Sequence, residues 1–177
     1  MIKQLIQKIF GKNDVGVIQK NEYTFEPIRK YEFNRKEVVE QIKKFSVSVL
    51  LGESRVVDKI VIHCSGCKSD EILNIDDAES FFKEKYGKKI IYTNSYIPFH
   101  FLITNNGYIA STMPLNAPYI SSSAIGICYI GGVNEYGELE DTRTTEQKNS
   151  IAWLVSNLRS LLGINKVSGC IEYNENK

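Results

Sequence analysis

Histidine and cysteine are scarce in this chain of 177 residues, which holds two of the first and four of the second. Any zinc or acid–base chemistry must be assembled from that short set. Proline is rarer than usual at four, and the twelve glycines form no tract, so collagen-like and low-complexity chains are excluded. No run approaches the roughly 18 apolar residues that suggest a membrane-spanning helix. The N-terminal MIKQLIQKIFGKND lacks the unbroken apolar stretch and small-residue cleavage site of a secretory signal, so synthesis in the cytoplasm is expected. Neither sign of charge is in excess. With 22 basic and 21 acidic side chains the net charge is +1, which offers no broad footprint for nucleic acid or an anionic membrane. Cys64 and Cys128 sit inside apolar, strand-like runs and read as small core residues, so no disulfide framework is expected.

What is present is the composition of a folded domain: 42% hydrophobic, 11% aromatic and 24% charged residues, enough for one core with appendages. Ile2, Leu5, Ile6, Ile9 and Phe10 recur at helical spacing, either for docking on a surface or partner or for packing on the chain's own domain. A polar stretch to Asn34 reads as linker. Val38, Val39, Ile42, Phe45 and Val49 predict a helix over 35–51, capped by Asn34 and ended by Gly52. A buried strand is expected over 58–64, then a helix opened by Asp76 and Glu79 and closed by Gly87. Asn105-Asn106-Gly107 between two apolar runs predicts a β-hairpin whose tight turn takes positive φ at Asn-Gly. Ile125 to Ile130 predicts a central strand. Thr144 and Gln147 form a capping box before a helical stripe of Ile151, Leu154, Val155, Leu158 and Leu162. The order of elements reads as α/β (α+β), a single sheet covered by helices. Residues 1–55 read as a helical extension with linker, and 56–177 as the main domain.

Both histidines fall where a site is conceivable. His63 ends a buried strand, where side chains face a cleft; His100 lies between Phe99 and Phe101, on one face of a sheet, ambiguous between core and site. Cys64-x-x-Cys67 has the spacing of half a zinc ribbon, but no second pair follows at a matching interval. Asp141 and Arg143 read as a loop ion pair. Trp153 lies just outside its helix's main apolar stripe and serves equally as packing or as a partner-facing aromatic.

Four segments together carry a family likeness: IVIHCS at 60–65, FHFLITNNGYI at 99–109, IGICYIGG at 125–132 and DTRTTEQKNSIAWLVSNL at 141–158. In this order and spacing, the chain from about 58 to 170 resembles the zinc-dependent N-acetylmuramoyl-L-alanine amidase family, which includes phage-lysozyme-type amidases and peptidoglycan recognition proteins. The resemblance implies a single mixed central β-sheet flanked by helices and a groove holding zinc, which lowers the pKa of a bound water and polarises the amide between muramic acid and the first alanine of the stem peptide. It implies His63 as a metal ligand and Cys170, in Gly169-Cys170, at the place of a second. Cys67, Glu172 and Glu175 are conjectural third ligands. Phe99 stands where active members often carry tyrosine, and a phenyl ring cannot hydrogen-bond a water or an oxyanion. His100 is the groove histidine of the same motif. Where relatives carry a Gly-Ala-His loop, this chain reads Asn116-Ala117-Pro118-Tyr119-Ile120 and then three serines.

The resemblance therefore implies an amidase-like domain with an incomplete zinc site, catalytically impaired, that binds peptidoglycan, a muropeptide or a protein partner. Two alternatives stand beside it. One is an active zinc amidase with a rebuilt ligand set. The other is a phage or cell-wall assembly component that docks through the helices at 1–10 and 35–51. A place in a phage virion or at the cell wall after release follows from the same likeness.

Overall fold

The computed structural model describes residues 34–90, 93–119 and 123–169; the helix expected over 1–10 lies outside them. Each described helix opens where a side chain returns hydrogen bonds to first-turn N–H groups that have no partner inside the helix. Helix α1 (Arg35–Leu50) starts at Asn34, whose Oδ1 accepts from Glu37 N–H at 3.1 Å while the Glu37 carboxylate accepts from Asn34 N–H at 3.0 Å. Helix α2 (Ile75–Tyr86) starts earlier than the Asp76–Glu79 spacing predicts. Asn74 is its cap, because the Asp77 carboxylate accepts from the N–H groups of both Leu73 and Asn74. Glu79 instead accepts from the Ser95 hydroxyl and Tyr96 N–H, tying the segment after α2 back onto the helix. Helix α3 (Thr145–Leu162) opens with the expected Thr144–Gln147 box and closes at Gly163.

The strands are β1 (Lys59–Cys64), β2 (Phe101–Ile103), β3 (Ile109–Ser111), β4 (Ala124–Tyr129) and β5 (Lys166–Gly169). They form one sheet in the order β3-β2-β4-β1-β5, antiparallel only between β2 and β3. This is the expected mixed sheet with flanking helices. Strand β5 went unpredicted because Lys-Val-Ser-Gly is short and solvent-facing, with no apolar alternation for a pattern to catch.

Side chains alternate across the sheet, so each strand feeds two cores. Ile60, Phe101, Ile103, Ile125 and Ile127 face α1 and α3, meeting Val38, Ile42, Phe45, Leu154 and Leu158. The apolar stripe of α1 is thus buried within the domain. Val61, Leu102, Ala110 and Cys128 face α2, meeting Ala78 and Phe82. Two residues beyond Val61 on the same strand, His63 falls on the α2 face.

Gln147 locks the end of the sheet that carries His63. Its Oε1 accepts from Thr144 N–H, while its fully buried Nε2 donates to the carbonyls of Ile130 at 2.8 Å and Ile103 at 3.3 Å. One helix-capping residue therefore also satisfies carbonyls at the ends of β2 and β4. The β2–β3 turn differs from expectation in one respect: only Gly107 has positive φ, and Gly107 N–H donates to Thr104 O at 2.8 Å. This is a turn followed by a left-handed glycine, which adds a residue to the loop. A Cβ on Gly107 would lie 2.7 Å from the Glu146 carbonyl oxygen.

Gly107→Ala therefore meets both backbone strain and a collision, and should cost about 2–4 kcal/mol of unfolding free energy in urea. Gly137→Ala, also at positive φ but in open space, should cost only about 1 kcal/mol. Equal losses would show that the Glu146 contact is immaterial.

Candidate functional site

On the α2 face, at the C-terminal end of β1, a cavity of about 530 Å³ opens beside His63. Phe99 and Tyr119 wall its inner part, and Tyr86, Lys88 and Lys89 wall its exposed side. Three rings pack together at the base: His63 lies 5.2 Å from Phe99 and 5.6 Å from Tyr119 between centroids, and Phe99 lies 5.9 Å from Tyr119. Phe82 of α2 supports Phe99 edge-on at 5.6 Å.

Tyr119 owes its position to a missing side chain. Gly126 of β4 is paired with Val61 of β1, and a Cβ there would come within 2.7 Å of the Tyr119 ring. The ring lies against the bare backbone and brings its hydroxyl to 2.5 Å from His63 Nε2, in a hydrogen bond whose direction follows the imidazole tautomer. Burial holds the His63 imidazole neutral, with its pKa down at about 4.

His100 does not reach the cavity wall. It is fully buried against Tyr119 at 5.8 Å, and it pairs with β4 in both directions: its N–H donates to Gly126 O, and its Nδ1 accepts from Gly126 N–H at 3.0 Å. Its Nε2 lies 3.1 Å from Ala117 O and 3.0 Å from Arg55 Nη2, with the role of that nitrogen following the tautomer. Burial and then the adjacent Arg55 guanidinium push its pKa down to about 3. Arg55 itself donates to the carbonyls of Leu115 and Ala124, so the pair braces the backbone on which Tyr119 is carried.

Phe99 lines the cavity next to His63 and offers it only a ring face. The oxygen that reaches His63 belongs instead to Tyr119, which the sequence reading passed over because only the fold brings residues 63 and 119 together. The sequence signal that could have found it was the bare Gly126 in the middle of an otherwise bulky strand. Cys170, Glu172 and Glu175 lie outside the described residues. Cys67 is buried, with its Sγ 2.9 Å from the Ser65 hydroxyl and its thiol pKa raised by that burial. Among the described residues no group of three His, Cys, Asp or Glu side chains converges as a metal site. The rings next to His63 are those of Phe99 and Tyr119, so the described residues by themselves do not complete a zinc site. Asp141 and Arg143 form the expected ion pair, at 2.6 and 2.8 Å through two nitrogens of the guanidinium.

Comparison with known proteins points the same way as the motifs. An endolysin of Escherichia phage T7 is 24% identical over 106 residues, which cover 57% of this chain and 66% of that protein. The chain resembles a phage endolysin. It spans just under two thirds of that relative's length. Among solved structures, the N-acetylmuramoyl-L-alanine amidase LysC from Clostridium intestinale URNW is similar with a TM-score of 0.49 at 21% identity, covering 64% of this chain and 69% of that one. Drosophila PGRP-LB is similar with a TM-score of 0.43 at 18% identity, covering 66% and 70%. No protein-family model matches. The likeness to amidases and peptidoglycan recognition proteins read from the four segments is borne out by the endolysin match. Among the described residues no helix is long and apolar enough to cross a membrane.

Tyr119→Phe should keep the ring packing and release His63 Nε2. Because the other histidine is fully buried, diethyl pyrocarbonate reports on His63 alone, and it should react several-fold faster in the variant. An unchanged rate would mean that the hydroxyl does not hold the imidazole. Stability should also follow pH through His100. Its folded pKa lies below the ordinary 6.5, so below that pH the unfolded chain takes up a proton that the fold refuses. Unfolding free energy should therefore fall on going from pH 7.5 to pH 5.5, by about 1 kcal/mol from this residue. His100→Gln should remove that part of the fall and leave the part due to His63, whose folded pKa is also depressed.

Proposed function

We propose that this chain is a peptidoglycan-directed, amidase-like module with a degenerate zinc site, which binds a cell-wall ligand in the His63–Tyr119 cavity without hydrolysing it. The observation that carries this reading is the 2.5 Å hydrogen bond between the Tyr119 hydroxyl and His63 Nε2. It ties one of the two ring nitrogens to a phenol, and among the described residues no group of three His, Cys, Asp or Glu side chains gathers to hold a metal beside it. Phe99, at the place where the resemblance implies a tyrosine, offers no hydroxyl to position a water, and loss of such a group typically lowers rates about a hundredfold to a thousandfold. The retained features are those of binding. Aromatic faces stack on the apolar faces of sugars and on peptide methyl groups, and a cavity of about 530 Å³ is of the size that encloses a small ligand. The likeness to a phage endolysin supports action at the bacterial wall once the chain reaches it.

Purified full-length protein should sediment with insoluble peptidoglycan, and Phe99→Ala with Tyr119→Ala should weaken that association about tenfold or more. The same protein should release no new alanine amino termini from the polymer. Release of such termini, with a tightly held equivalent of zinc and loss of both in His63→Ala, would overturn the proposal in favour of an active amidase with a rebuilt ligand set.

A further inference from the structure

The chain as a whole is nearly neutral, but four of its 22 basic residues fall within nine consecutive positions. The segment Phe81–Lys89 holds Lys83, Lys85, Lys88 and Lys89 against a single carboxylate, Glu84, and it forms the C-terminal part of α2 and the loop that walls the cavity. Two of these lysines are already engaged. Lys85 Nζ donates to Ser65 O at 2.6 Å, and Lys83 lies 5.7 Å from the centre of the Tyr96 ring. Lys89 is steered by its own contacts: its Nζ donates to Asn94 Oδ1 at 2.6 Å and stands 5.6 Å from the Tyr96 ring centre, while its side chain lines the cavity. Lys88 lines the same cavity and is exposed; among the described residues it has no hydrogen bond or ion pair. No aspartate or glutamate is among the described residues that line this space.

A cavity with an aromatic, uncharged interior and two ammonium groups at its exposed wall is complementary to one kind of ligand: a body of sugar or peptide carrying an oxyanion at one end. We infer that Lys88 and Lys89 form an oxyanion subsite at the mouth of the His63–Tyr119 cavity, which selects wall components bearing a free carboxylate or phosphate over their uncharged counterparts. This rests on the reading of the cavity as a cell-wall ligand site and adds the charge state of that ligand. The two sources of such an oxyanion are the acidic stem peptide of peptidoglycan and a glycerol phosphate polymer.

Calorimetric titration of the full chain with three soluble probes tests the inference: a muramyl peptide with free carboxylates, the same peptide with those groups as carboxamides, and a glycerol phosphate oligomer. The acid form should bind about three- to tenfold more tightly than the amide at low salt, the scale expected of two exposed charge pairs. The gap should shrink at 0.5 M salt, where screening shortens the reach of the ammonium groups. In Lys88→Gln with Lys89→Gln, the acid form should lose affinity by a larger factor than the amide, so that the two bind equally. Equal affinity of acid and amide for the unmodified protein, or a preference that survives in the double variant, would overturn the inference while leaving the wall-binding reading intact. Binding of the oligomer alone, lost in the double variant, would support the oxyanion subsite and overturn the peptidoglycan reading. Sedimentation with peptidoglycan but no binding of any probe would overturn the subsite only.

Discussion

The site depends on the absence of a side chain at Gly126. Strand β4 lies in the middle of the sheet, between β2 and β1, and every other position along it carries a side chain that fills one of the two cores. At Gly126 the α2 face is bare, and the ring of Tyr119 takes the vacated volume at a distance no Cβ would permit. A whole aromatic ring is thereby inserted between the sheet and the cavity. Its hydroxyl then meets His63, while its ring edge rests on His100 beneath. The two histidines are linked through one tyrosine and have opposite duties, one at the cavity and one inside the backbone framework.

That arrangement sets what the cavity can do. A neutral imidazole bonded to a phenol is a positioned hydrogen-bonding pair, and the ring beside it, Phe99, has no polar atom. In the proposed reading, recognition outlasts catalysis because the two make different demands on a site. Binding draws on area, shape and charge, which the aromatic walls and the lysines supply, whereas hydrolysis needs several groups aimed at one reacting atom. A fold by itself leaves the chemistry to the residues placed on it.

Much of the framework was legible in the chain. The Thr144–Gln147 box was readable as a helix start, and its residues also close the sheet end that carries the site, because Gln147 has donors to spare once its Oε1 has accepted from Thr144. The hairpin at Asn105–Gly107 was readable from composition, although its geometry was set by Glu146 packing behind Gly107 as well as by turn preference. The start of α2 was misplaced because Asn74 and Asp77 competed with Asp76 and Glu79 for the same role, and Glu79 was needed by Ser95 and Tyr96. Strand β5 was invisible because an exposed edge strand needs no apolar pattern.

The sequence by itself determined α1 and α3 with their caps, the hairpin turn and the placement of His63 at a strand end, since these follow from local periodicity and short-range hydrogen bonds. It also determined which atoms were on offer: two imidazoles, a phenyl ring at position 99 and a run of lysines after Phe81. Only the tertiary structure decided that Tyr119, 56 residues away, is the partner of His63, and that His100 is sealed within the backbone framework. The reason is one of register. Parallel pairing of β1 with β4 sets Val61 beside Gly126 and His63 beside Cys128, and no local pattern in the chain encodes which strand will lie next to which.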